Sequence, residues 1–177
     1  PPELHSFDLS GAIFETQALH YRAAVEAMDT EIGRLLEGLG TERLRRTLLL
    51  FAGDNGDTGK GLVTPAGVAV PLIVAGAGVA MPGRICDDLV SLADVHATLV
   101  DVAGLPPTPD TDSVSFLPQL HDPLAPAGRE FVLTEHFKPN GPPPWTERQR
   151  AVRERRWKLL RFEQGGVVVD EQLYDLL

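Results

Sequence analysis

Residues 47–61, TLLLFAGDNGDTGKG, hold the side chains whose types and spacing suit chemistry: Asp54 and Asn55 end an apolar run, and Lys60 follows closely. A carboxylate and a side-chain amide at one strand end offer hard oxygen ligands to a divalent cation. An ammonium beside that cation would favour an anionic substrate. Asn55-Gly56 is equally a strong turn signal, because both residue types tolerate positive φ. From three letters alone the plain turn is the favoured reading. A hairpin needs a second strand directly after the turn, and Asp57-Thr58-Gly59-Lys60-Gly61 is a poor strand, which narrows that advantage. Lys60 by itself reads as an ordinary solvated lysine.

The remaining reactive residue types form no comparable group. His5, His20, His96, His121 and His136 share no ligand spacing on a helix or strand and read as structural. Glu135 and His136 read as strand-end residues that face solvent or pack. No Ser/His/Asp arrangement, nucleophile elbow or phosphate loop is present. Cys86 is the sole cysteine, so neither an intrachain disulfide nor a cysteine metal cluster can form. The redox compartment stays open.

The elements that must position Asp54 and Asn55 follow from periodicity. Apolar residues Tyr21, Val25, Met28, Ile32, Leu35, Leu36 and Leu39 keep helical spacing over residues 17–39, and Gly38 and Gly40 supply the stop. Residues 47–53 form a short continuous apolar run suited to a buried parallel strand. Residues 68–75 form a second, in which Pro71 implies an edge position, a bulge, or a strand starting just after it. Ser91 and Asp94 fit a capping box that opens a helix through Val95, Leu99 and Val102. Gly104 and Pro106 close it. Helix, strand, strand, helix with short connections indicates an α/β layer. In open sheets of this kind ligands gather at the carboxyl ends of strands, where Asp54 and Asn55 fall.

Residues 105–128 turn to Pro, Asp and Thr, as in a surface loop. FVLTEHF, WKLLRFEQ and VVVDEQLYDL then read as strands of a smaller antiparallel sheet, with GGVVVD providing a hairpin turn. The Pro142-Pro143-Pro144 run is a stiff loop. The resulting division is residues 1–104 as α/β core, 105–130 as connecting loop and 131–177 as the antiparallel subdomain.

Composition narrows the classes of function. The chain has 177 residues, 43% of them hydrophobic, enough for one domain with a real core. A net charge of −9 argues against nucleic acid, which demands clustered Lys and Arg. The one basic cluster, residues 148–161, also reads as folded strand. No apolar run reaches the ~18 residues of a membrane span. The first twenty residues lack a signal-peptide pattern; they open PPELHSFDLSG without a methionine, like the middle of a protein, so compartment stays open.

The ordered set of motifs resembles the C-terminal portion of the sulfatases, in the alkaline phosphatase-like superfamily. It runs from YRAAVEAMDTEIGRLLEGL through DNG, KGLVTPAGVAVPLIVAGAGV and LVSLADVHATLVDVAG to DSVSF, LTEHF, RWKLLRF and LYDL. The resemblance covers nearly the whole chain. It implies part of a parallel α/β core followed by a small antiparallel sheet. It also implies hydrolysis of sulfate esters, of small molecules or glycans, at a calcium-bound site. The nucleophile is then a formylglycine made from Cys or Ser in a Cys-x-Pro-x-Arg-like motif. Asp54 and Asn55 match the calcium-ligating pair, and Lys60 matches the lysine that contacts the sulfate. A periplasmic or secreted location is compatible with the family.

Three departures accompany the match. Cys86, in GRICDDLV, lacks the Pro and Arg of the nucleophile motif. Only Gly56, Asp57, Thr58 and Gly59 separate Asn55 from Lys60, a shorter loop than the family's. Leu62-Val63-Thr64-Pro65-Ala66-Gly67 stands where Thr-x-Tyr-Glu-Gly-Gly is common. The expectation is therefore a sulfatase-type hydrolase portion whose nucleophile lies upstream, inactive by itself and prone to self-association through an uncovered strand edge. The rival expectations are a non-catalytic binding or scaffold domain derived from such an enzyme, and a phosphonate or phosphate monoester hydrolase of the same superfamily.

Overall fold

The structure is a computed structural model that describes residues 2–7, 17–56 and 60–177. Residues 1–16 read in the sequence as an extended, turn-rich lead-in; most of them, and the Asp57-Thr58-Gly59 loop, lie outside the described residues. Two compact units emerge, Pro1–Leu48 and Leu49–Leu177, and each is described by itself.

The first unit is built on helix α1, Gln17–Leu44. The foreseen stop is present: Gly40 leaves helical geometry with φ 71° and ψ 160°, and one further helical turn follows it. Glycine takes this positive φ without a Cβ clash. The Thr30 hydroxyl donates to the Leu4 carbonyl at 3.1 Å, and the Ser6 amide and hydroxyl both donate to the Glu26 carboxylate. These bonds hold the 3-10 turn Pro2–Leu4 along the helix. The foreseen apolar spacing is real, yet Tyr21, Val25, Met28 and Leu35 are exposed, while Ala23 is buried.

The second unit begins in strand β1, Leu48–Ala52, which pairs with β2, Leu72–Gly76. The Gly53 amide donates to the Pro71 carbonyl at 3.0 Å, so the end of β1 lies beside the start of β2. Of the three readings of Pro71, the strand that starts just after it is the one adopted. The residues before it form a short helix instead, α2, Pro65–Val68. Proline at a helix's first position costs no hydrogen bond, since that N–H has no intrahelical acceptor.

Helix α3, Asp94–Val102, opens much as its sequence foretold. The Ser91 amide donates to the Asp94 carboxylate at 2.8 Å, while the Ser91 hydroxyl accepts from Ala93 rather than from Asp94. Gly104, at φ 65°, ends the segment. The long loop beyond contains one short helix absent from the sequence reading, α4, Leu117–His121.

The final layer is a four-stranded antiparallel sheet in chain order: β3 (Val132–Lys138), β4 (Glu147–Arg153), β5 (Trp157–Gln164) and β6 (Val167–Asp175). Three of these strands were foreseen as such. β4 lay inside the basic cluster. Gly165 and Gly166 have φ of 55° and 81°, the double positive φ that a two-residue I′ hairpin requires. Across the sheet, Thr134, Ala151, Leu160 and Gln172 stand in register and so share one face. Ala151 and Leu160 on that face bury against Val63, with Phe162 packed alongside.

A candidate metal and anion site

Asp54 and Asn55 sit directly past β1 and line an open cleft of about 1160 Å³. The turn they open is fixed from both sides. The Gly56 amide donates to the Gly67 carbonyl at 2.9 Å. A Cβ on Gly56 would lie 2.0 Å from the Ala66 carbonyl oxygen, so only glycine allows this approach. The Asn55 side-chain nitrogen donates to the Gly56 carbonyl at 2.8 Å, which leaves its oxygen as the end that could accept or ligate. Asp54 is exposed, and among the described residues no hydrogen bond or ion pair occupies its carboxylate. DNG is thus a bend anchored by its own backbone, with the Asp54 carboxylate and the Asn55 amide oxygen left open as acceptors.

This donor set fits a hard cation in kind and falls short in number. Calcium takes six to eight oxygens, and the pair offers two side chains. Among the described residues no three His, Cys, Asp or Glu side chains come together to hold a metal ion.

Lys60 is exposed and opens a turn with Gly61, whose φ is 82°. It is not among the residues that line the cleft with Asp54 and Asn55. An ideal Cβ at Gly61 would lie 3.6 Å from Cε1 of His136, so that imidazole packs behind the lysine's turn. His136, read as a strand-end residue, lies inside the strand β3. His96 bonds the Thr108 hydroxyl at 2.9 Å across its own helix and loop.

Two charged groups important to the cleft were not singled out for burial. Asp94 is 2% exposed and forms a two-bond ion pair with the Arg129 guanidinium. Its oxygens also accept from the Ser91 and Val114 amides. Desolvation pushes the Asp94 carboxyl upward, but the Arg129 hydrogen bonds and the two amides outweigh it and hold it below the usual carboxylate range. Lys158 is 4% exposed, and its ammonium donates to the Val63 carbonyl at 2.9 Å. Burial, and then the nearby Arg153 charge, push the Lys158 ammonium below the usual lysine range. Both line the same cleft. A lone Lys in a strand and an Asp at a helix start give no sequence signal of burial.

A family model described as Sulfatase matches residues 7–105, more than half of the chain. The chain belongs to the sulfatase family. An ulvan-active sulfatase of Formosa agariphila is 28% identical over 90% of this chain and 32% of its own length. Human arylsulfatase K is 25% identical, over 90% of this chain and 31% of its own length. Among solved structures, a phosphonate monoester hydrolase from Silicibacter pomeroyi superposes with a TM-score of 0.73 at 25% identity, over 87% of this chain and 33% of that one. This sulfatase chain spans about a third of the length of each of those relatives. Its fold is α/β: part of the alkaline phosphatase-like core, then the antiparallel sheet. Among the described residues no helix is long and apolar enough to cross a membrane.

Proposed function

We propose that this sulfatase chain serves a sulfuric-ester hydrolase by supplying Asp54 and Asn55 to a calcium site and Lys60 to the sulfate group. The observation that carries the reading is the placement of Asp54 and Asn55, side by side past a strand end and lining an open cleft, in a chain of this family. Bound calcium would polarise a sulfuryl oxygen as a Lewis acid. The Asp54 carboxylate and the Asn55 amide oxygen would hold that ion past the strand end, and the Gly56–Gly67 bond anchors the backbone beside them. The Lys60 ammonium adds a second positive charge for the oxygens of the departing sulfate.

No residue of this chain takes the nucleophile's part. Cys86 is exposed but lies outside any formylglycine-type motif, so the aldehyde-bearing residue comes from outside these 177 residues. The substrate is a sulfate ester of a small molecule or glycan, in keeping with the ulvan-active relative.

The experiment is a calorimetric titration of calcium into the protein as its gene encodes it, paired with an assay of these 177 residues on 4-nitrophenyl sulfate. The encoded protein binds calcium, its Asp54→Ala variant binds it at least about tenfold more weakly, and the 177 residues turn over no ester. Turnover that Asp54→Ala abolishes would refute the absence of a nucleophile, and calcium binding unchanged by Asp54→Ala would refute the site. The phosphonate hydrolase's likeness supports a second reading, in which the ester is a phosphonate. Assaying the protein as its gene encodes it on phenyl phosphonate esters and on the sulfate separates the two.

A further inference from the structure

The candidate site is tied to the C-terminal sheet by one contiguous set of contacts. Val63 is 1% exposed because its side chain completes the sheet's core with Ala151 and Leu160. Its carbonyl, in a loop and so without a ladder partner, accepts from the Lys158 ammonium at 2.9 Å. The next residue, Thr64, accepts at its carbonyl from the Gly67 and Val68 amides at 2.9 Å and 3.2 Å, which closes the α2 turn. Gly67 in turn accepts from Gly56, beside Asn55. Lys158 and Gly56 are therefore linked through residues 63–67 without a gap.

We propose that Lys158 is a positioning residue. It fixes residues 60–67 on the sheet and, through the Gly67–Gly56 bond, sets the aim of Asp54 and Asn55. A buried ammonium facing a carbonyl, with no carboxylate bonded to it among the described residues, is costly to keep in a protein interior. A side chain that merely filled the space would be apolar. What the lysine adds is reach from strand to loop and a donor for a carbonyl that would otherwise be buried unpaired. Only the consequence for metal binding rests on the reading of Asp54 and Asn55 as calcium ligands; the mechanical link stands on the contacts themselves.

Amide hydrogen exchange on the full chain tests the link. In Lys158→Met the Gly56 and Gly67 amides exchange about tenfold faster or more, while the Ala151 and Leu160 amides keep their protection. Lys158→Arg, which retains a long donor, restores the wild-type pattern. Loop protection unchanged in Lys158→Met, acceleration spread equally over the sheet, or no rescue by arginine each overturns the proposal. Should Lys158→Met fail to fold, the wild-type ammonium decides. A slowly exchanging Lys158 Nζ signal coupled to the Val63 carbonyl carbon supports the link, and its absence overturns it. A terbium luminescence titration reads the consequence: affinity falls about tenfold in Lys158→Met and recovers in Lys158→Arg. If the protein as its gene encodes it binds no terbium, the calcium reading fails while the exchange result still judges Lys158.

Discussion

Asp94 is the residue on which the second unit's loops converge. One carboxylate gathers the start of its own helix through Ser91, the 113–116 segment through Val114, and Arg129 from beyond α4. Removing its charge leaves a largely buried guanidinium without its partner, a change that costs about 3–5 kcal/mol. Asp94→Asn should therefore lower the urea midpoint sharply with an unchanged slope. The same residue predicts acid sensitivity. Its folded carboxyl lies below the usual range and its unfolded one near 3.8. The stabilisation is thus complete above pH ~4 and is lost as pH falls through the depressed folded value. Wild type should lose stability there on an acid titration, and Asp94→Asn should show a smaller loss in the same window. An identical slope in both proteins would put the acid-labile group elsewhere.

At the scale of elements, glycines divide by what surrounds them. Gly56 lies against backbone, with the Ala66 oxygen 2.0 Å from where a Cβ would sit. Gly38, inside α1, has nothing within 4 Å. Gly56→Ala must push the Asn55 turn off residues 66–67, costing about 1–3 kcal/mol, and should weaken calcium binding along with stability. Gly38→Ala should instead stabilise by about 0.5–1 kcal/mol, because it removes chain entropy from a helix interior. Thermal midpoints that move in opposite directions check both together. The elements legible in the sequence were those whose apolar residues keep one period: the 17–39 helix, the 47–53 run, and the hairpin strands around Gly165-Gly166. β4 lies in the basic segment that also reads as folded strand, but ERQRAVR has charges that pair across the sheet, as in Arg150 with Glu135 at 2.9 Å, so no alternation marked its bounds. α2 and α4 are single turns, too short to show a period. That Asp54 and Asn55 follow a strand was legible because the apolar run stops just before them; the ligand role came from the family resemblance. Lys158 was not, since its partner is a carbonyl 95 residues away in sequence.

For the molecule as a whole, the balance between core and surface decides behaviour in solution. Among the described residues the buried apolar side chains are Ala23, Val63, Phe116, Ala151 and Leu160, a thin core for a chain of this length. Large apolar side chains meanwhile stand open in both units, among them Tyr21 and Leu35 on α1 and Ile73, Ile85 and Leu173 in the second unit. Apolar area left in water is worth about 25 cal/mol per Å² when covered, and scattered residues of this size on several faces offer more than one way to cover it. The outer ion pairs of the sheet, such as Arg161 with Glu171, are solvent-exposed and offset little of this. The chain in isolation should therefore associate as its concentration rises, despite the net charge of −9 that opposes contact at low salt. Sedimentation velocity across a concentration series should show a rising weight-average coefficient, steeper in high salt, where the repulsion is screened. Polar replacement of Ile73 and Ile85 should flatten the series without lowering the unfolding midpoint, because neither side chain is part of the buried core. A monodisperse monomer at every concentration and salt would mean that the exposed apolar groups are too dispersed to act together.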